Sequence, residues 1–411
     1  MNWSVLAYFL INSLLFFIAL EISLRYLNFP KIHLSARRRE QQFHALILKL
    51  KQTRSSIKNT YLATTPSDCE KIATLYHDHY FLGDITESHI LLPPEDDGVI
   101  HYDSDENGFR NPKHLYNHPQ GIDVVLLGDS FTDGYAVPDG FTIADGLRQK
   151  THLHIYNAGK CGAGLLHSLA VYIEYIRHQK VKNVALLITE GIMINRFFSE
   201  INNEFLRPYF IDFINAKKNL VDLVSQKNLS LMKYHEAQLN QHLKKRSLMR
   251  SLLSHIKYYC RSFLFESNIS LLIKQITKVN FGYTGEKIPN KILLEREWDT
   301  LKKYFDMLNQ DCLENGMRFF VVLVPNARFY FNHFPDDEVK CLTSLCKDLD
   351  IDFLNLIPSF AAQKNPKNLM ATPTTIYNQH LSKEGCLFVA GEIASHLACE
   401  TQDRKQASNF N

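Results

Sequence analysis

Val124-Val125-Leu126-Leu127-Gly128-Asp129-Ser130-Phe131-Thr132-Asp133-Gly134 is the stretch on which the reading of this chain turns. Four consecutive apolar residues suit a short strand covered on both faces. The glycine that follows ends the run and leaves Ser130 just past the strand's C-terminal end. In an open parallel α/β sheet, ligands and reactive groups gather at that end. A serine there is either a helix N-cap, a role it favours, or an exposed nucleophile.

Outward from this stretch, strand candidates recur at 122–127, 153–157, 184–188, 318–324 and 353–356, most of them continuous apolar runs. Helical patterns separate them, which implies parallel strands joined by right-handed crossovers. The clearest helix follows the last run. Cys386, Val389, Ala390, Ile393, Ala394 and Leu397 repeat at helical spacing, with Ser382 as the expected N-cap. The pattern predicts a three-layer α/β/α domain around a parallel, flavodoxin-like sheet of about five strands.

Two further blocks carry chemistry. Tyr156-Asn157-Ala158-Gly159-Lys160-Cys161-Gly162-Ala163-Gly164 is a glycine-rich turn after the second strand, and His380 precedes the last helix in Asn378-Gln379-His380-Leu381-Ser382. Upstream stands Asn107-Gly108-Phe109-Arg110. An early Gly-Asp-Ser, a glycine-rich turn and a late histidine together resemble the SGNH/GDSL hydrolase superfamily, in particular its membrane-anchored bacterial members. The Gly-Phe-Arg element and Leu206-Arg207-Pro208-Tyr209-Phe210 add to that resemblance. It implies ester cleavage without a cofactor or a metal. Ser130 would be the nucleophile and His380 the general base. The backbone N–H groups of Ser130 and Gly162 would form the oxyanion hole, with Gly159 a rival for the second donor.

The sequence departs from that family pattern in two places. The family's orienting Asp, two or three residues before the histidine, is replaced here by Asn378 and Tyr377. Its side-chain amide donor after the third strand has no counterpart in Thr189-Glu190-Gly191-Ile192, and Asn195 lies several residues later. An uncharged Asn does not stabilise an imidazolium, and the equivalent Asp-to-Asn change in a serine-protease triad costs roughly 10⁴ in rate. Three readings follow: a Ser–His pair assisted by a backbone carbonyl, an acid recruited from elsewhere (Asp129, Asp133 or Glu190), or an inactive domain that binds glycan or scaffolds an envelope assembly. Transfer of the acyl group to a sugar is the same chemistry with another acceptor. The expected substrate is an acylated polysaccharide, lipid or cell-envelope glycan.

Composition frames this. The chain has 411 residues, 45% hydrophobic and 22% charged, which is globular in character. A net charge of +3 is too mild to argue for nucleic acid as a partner. The eight cysteines show no paired metal-binding spacing, and His77-Asp78-His79 are too close together for good tetrahedral ligation. Residues 1–30 form an apolar segment long enough to span a bilayer of roughly 30 Å. It lacks a cleavage signature and is read as a retained single-pass transmembrane anchor. The basic flank after it, Arg37-Arg38-Arg39, favours a cytoplasmic body by the positive-inside rule. The family resemblance favours the extracytoplasmic, periplasmic side, and that side is the expectation. Residues 31–100 read as a basic helix and an irregular lead-in, 101–400 as the hydrolase-like domain, 197–293 as a helical insertion within it, and 401–411 as a polar tail.

Overall fold

The computed structural model describes residues 60–76, 80–92, 100–190, 192–213, 230–234, 237, 291–326, 336–371 and 380–408. Apart from 237 and 291–294, these belong to one compact unit, residues 47–236 with 295–411. The N-terminal segment, the basic helix and most of the 197–293 stretch lie outside the described residues. Among the described residues no helix is long and apolar enough to cross a membrane.

In chain order the elements are β1 (Thr60–Leu62), α1 (Pro66–Tyr76), β2 (His89–Leu92), β3 (Ile100–Asp103), β4 (Ile122–Gly128), α2 (Ser130–Asp133), α3 (Ile143–Thr151), β5 (Ile155–Gly159) and α4 (Leu165–Val171). A π-type turn, Tyr172–Ile176, extends α4. Then come β6 (Val181–Thr189), α5 (Met193–Glu200), α6 (Arg207–Ile211), α7 (Lys291–Glu314), β7 (Arg318–Val324), α8 (Asp336–Asp348), β8 (Asp352–Asn355), α9 (Ile357–Ala361) and α10 (Lys383–Ser408).

The main sheet runs β5-β4-β6-β7-β8, and every neighbouring pair is parallel. This is the doubly wound order, with the chain reversing its direction of travel between β5 and β6. Its apolar runs are continuous because both faces are covered. Alternate residues of β4 show this: Val125 and Leu127 join the core under α4, α5 and α7, with Leu169, Phe197, Tyr304 and Phe305. Val124 and Leu126 join the opposite core, with Leu147 of α3 and Val389 and Ile393 of α10. Each fully buried Leu or Ile contributes roughly 1.5–3 kcal/mol, so these two layers stabilise the domain. Gly146 of α3 lets α10 approach closely; a Cβ there would meet that of Ala390 at 2.8 Å.

All five predicted strands are present; the fourth matches at both ends and the others are shifted by one to three residues. The second begins at Ile155 rather than 153. The third begins at Val181 rather than 184. Its first residues carry polar side chains that bond across to neighbouring β4: Lys182 Nζ meets Asp123 Oδ1 at 2.7 Å, and Asn183 Nδ2 donates to Asp123 O at 2.9 Å. Ser382 caps α10, its Oγ accepting from Gly385 N at 3.0 Å. The lead-in differs from its irregular reading. Residues 60–103 contain α1 and a three-stranded sheet, β1 parallel to β2 and β2 antiparallel to β3. Strands of three or four residues are too short to give a periodic signal. They are ordered by burial, since Ile72, Ile90, Leu92 and Tyr102 enter the same core as β4.

The β7–β8 edge is pinned to α10 by Asp352, which accepts from His396 Nε2 at 2.7 Å and pairs with Arg318. Burial would raise the Asp352 carboxyl, but these contacts outweigh it and hold the group at about 2. A folded value below the ordinary carboxylate value stabilises the fold above about pH 4, and that stabilisation fades as the pH falls towards about 2. Asp352→Asn is therefore expected to lower the Tm at pH 7 by about 1–4 °C after solvent screening. In melts recorded at successively lower pH, its gap from the wild type closes between about pH 4 and about pH 2.

Candidate active site

Ser130 opens α2 at the C-terminal end of β4. The turn that carries it needs two glycines. Gly128 has φ +156°, and a Cβ there would lie 2.2 Å from Thr132 Oγ1. Gly159 is its partner across the β4–β5 ladder, and a Cβ there would lie 2.6 Å from both Asp133 N and Thr132 Cβ. With neither side chain present, α2 folds back over the strand ends. Lys160 N then donates to Gly128 O at 3.0 Å, and Cys161 N donates to Asp133 Oδ2 at 3.1 Å. The nucleophile-type turn and the glycine-rich turn are thus bonded to each other.

Asp129 holds the turn from the other side. Its Oδ1 accepts from Phe131 N at 3.0 Å and from Thr189 Oγ1 at 2.9 Å. It supports the turn that carries Ser130. The Gly-Phe-Arg element braces the loop after α2. The buried Arg110 donates from Nη1 to Gly134 O at 2.8 Å and from Nη2 to Val137 O at 2.9 Å, and pairs with Asp139. Asn111, next to it, accepts from Asn157 N at 2.7 Å and donates to Asn157 O at 2.9 Å.

His380 reaches the site from the far end of the chain. An isolated antiparallel bridge, Met370 with Leu381, and the bond from Ala371 N to His380 O (2.8 Å) fix its backbone. Its ring packs between Phe131 and Tyr135, centroids 5.4 and 4.6 Å away. Nε2 stands 2.8 Å from Ser130 Oγ. That is the separation a general base needs to take the serine proton. The N–H groups of Ser130 and Gly162 donate to no other group among the described residues.

Glu190, after β6, is buried. Its N–H donates to Val324 O at 3.1 Å and its carbonyl accepts from Asn326 Nδ2 at 2.5 Å, so this segment is stitched to the end of β7. Asn195 is on the exposed side of α5. Asn378 and Tyr377 lie outside the described residues, as do His77, Asp78 and His79. Among the described residues no group of His, Cys, Asp or Glu could hold a metal ion.

The strand order, the position of Ser130 at the end of β4, and its contact with a histidine just before the last helix form one arrangement. The fold is three-layer α/β/α around a parallel five-stranded sheet, as the sequence pattern predicts. No protein-family model matches the sequence, and no curated protein does. Among solved structures, the chain is similar to a protein of the G-D-S-L family from Desulfitobacterium hafniense DCB-2, described as lipolytic, at 11% identity. That similarity covers 67% of this chain and 98% of the other, with a TM-score of 0.34. It is likewise similar to a lipase/acylhydrolase from Enterococcus faecalis at 11% identity, over 67% of this chain and 95% of that one, TM-score 0.34.

Two charged residues that the sequence reading left in the background prove central. Lys160, buried beneath the turn, meets Asp84 Oδ1 at 2.6 Å. Asp84 also accepts from Thr64 N at 2.7 Å and Tyr102 Oη at 2.6 Å. Burial would raise the Asp84 carboxyl, but Lys160 takes it below the ordinary range. Burial pushes Asp133 up to about 6, although Lys160 pulls the other way. A lysine among glycines gives no sign in the sequence that its partner stands far upstream, in the lead-in. The other residue, Arg196 on α5, donates from Nη1 to Ala163 O at 3.1 Å and lies 3.5 Å from Asp129 Oδ2.

Lys160→Met leaves two buried carboxylates without their cation, which is expected to cost about 3–5 kcal/mol. Both acids then have folded pKa values above their unfolded ones, so stability falls as pH rises through that window. The variant should melt higher at pH 5 than at pH 8 in calorimetry. Adding Asp84→Asn should recover part of the loss at pH 8.

Proposed function

We propose that this chain is a serine esterase or deacylase that works through Ser130 and His380. The observation that carries the proposal is the 2.8 Å approach of His380 Nε2 to Ser130 Oγ at the C-terminal end of a parallel sheet. Ser130 Oγ attacks the ester carbonyl carbon while its proton passes to His380 Nε2. The carbonyl oxygen becomes an oxyanion held by the Ser130 and Gly162 N–H groups. Collapse breaks the ester C–O bond, and the departing alcohol takes the proton from His380. Water, deprotonated by the same imidazole, then attacks the acyl enzyme and releases the acid and free Ser130. If a sugar hydroxyl replaces that water, the product is a transferred acyl group. An acylated polysaccharide, lipid or envelope glycan fits this chemistry. The apolar run near the N-terminus supports anchoring at a membrane, and the resemblance to anchored family members supports an extracytoplasmic body.

The test is labelling of the full chain with a fluorophosphonate, which reacts with activated serines. Wild type should label, and Ser130→Ala and His380→Ala should not. A folded wild type that does not label would overturn the proposal and favour an inactive glycan-binding or scaffolding domain. Within the same mechanism, Asn378→Asp supplies a charge to support the imidazolium and should raise kcat/KM on p-nitrophenyl acetate by roughly tenfold or more. An unchanged rate, together with loss of activity in Glu190→Gln, would place the supporting acid at Glu190 instead.

A further inference from the structure

Acyl transfer builds negative charge on the former carbonyl oxygen, and donors already in place for it supply a large share of catalysis. At this site two backbone donors are available, from Ser130 and Gly162. The segment directly after β6 offers no side-chain amide among its described residues: Glu190 is tied to β7, and Asn195 is on the exposed side of α5.

Arg196 occupies the neighbourhood instead. Its two contacts are with the residues adjoining the two donors. Asp129 directly precedes Ser130, and Ala163 directly follows Gly162. Adjacent Cα atoms are about 3.8 Å apart, so the guanidinium is tethered within one residue of each donor. The approach is built into the backbone. Gly164 has no side chain to hold α5 away, and a Cβ there would lie 2.8 Å from Arg196 Cβ. A guanidinium carries five N–H donors and stays charged at any working pH. Here Nη1 alone is engaged among the described residues, and the side chain is 37% exposed.

A second observation concerns charge. Asp129 Oδ2 is buried and accepts no hydrogen bond among the described residues. The cation beside it is Arg196. An oxyanion forming next to Ser130 would otherwise face that carboxylate across a short, poorly screened distance.

We propose that Arg196 is the side-chain donor of the oxyanion hole, its free N–H groups turned to the developing oxyanion while Nη1 holds Asp129 and Ala163. This rests on the esterase reading above.

The experiment uses the full chain with p-nitrophenyl acetate, a neutral ester, and with fluorophosphonate labelling. Arg196→Met should lower kcat by roughly 10²–10³, leave KM within about twofold, and slow labelling in parallel. Arg196→Lys, which keeps a charged donor, should recover a large part. Arg196→Gln, which keeps a neutral one, should recover less and serves if the Met variant does not fold. Asp129→Asn/Arg196→Met separates donation from charge neutralisation. The double variant should stay as slow as Arg196→Met alone.

Recovery in the double variant to the rate of Asp129→Asn would overturn the proposal and make Arg196 a counter-ion only. An effect confined to KM for an anionic ester, such as p-nitrophenyl hemisuccinate, would also overturn it and make Arg196 a substrate-recognition residue. An active wild type with an unaffected Arg196→Met refutes this inference alone. A wild type that neither hydrolyses nor labels refutes the esterase reading, and this inference with it.

Discussion

Two missing Cβ atoms decide how the site is assembled. Gly128 and Gly159 face each other across the β4–β5 ladder, and α2 lies in the space their side chains would fill. Any larger residue at either place would push Thr132 and Asp133 off the strand ends. The turn that carries Ser130 would then lose its bonds to the glycine-rich turn, and Ser130 would leave the reach of His380. The sheet imposes the location. Its two faces are sealed by helices, so backbone that can present a reactive side chain to substrate is found only at the ends of the strands.

Beneath that surface, the charges form a second layer of constraint. Asp84, Lys160 and Asp133 lie buried together, and Arg110 and Asn111 tie the same upstream segment to the loops around Ser130. A buried ion pair contributes little net stability compared with an apolar core, but breaking one is costly. Here the pair joins segments far apart in the sequence, so separating them would leave its charges buried and unpaired. Residues 60–111 therefore belong to the site's framework and are more than a passage from the N-terminus to the domain.

Much of this was legible in the sequence for a simple reason. A strand buried on both faces tends to be a continuous apolar run, and five strand candidates, most of them such runs, separated by helical patterns leave few topologies. The C-terminal helix was equally plain, since Cys386, Val389, Ala390 and Ile393 meet one core at helical spacing. The short strands of the lead-in were not legible. Three or four residues carry no usable period, and their order comes from packing into the core that also holds Val125 and Tyr156, residues well downstream in the sequence. Lys160 and Arg196 escaped notice for a related reason. A single charged side chain in a turn or on a helix reads as solvated until its partner is known, and Asp84 and Asp129 stand 76 and 67 positions earlier in the chain.

The sequence by itself determined the strands, their parallel character, and the placing of Ser130, Gly162 and His380 at chain positions where strands end or helices begin. These follow from local periodicity and turn chemistry, which act over a few residues. Only the tertiary structure decided that Ser130 and His380, 250 residues apart, stand at hydrogen-bonding distance, that Asp129 holds the turn carrying Ser130, and that Arg196 contacts both that turn and the glycine-rich turn. Those outcomes depend on how helices seat on the sheet and where glycines admit close approach, which local pattern does not encode.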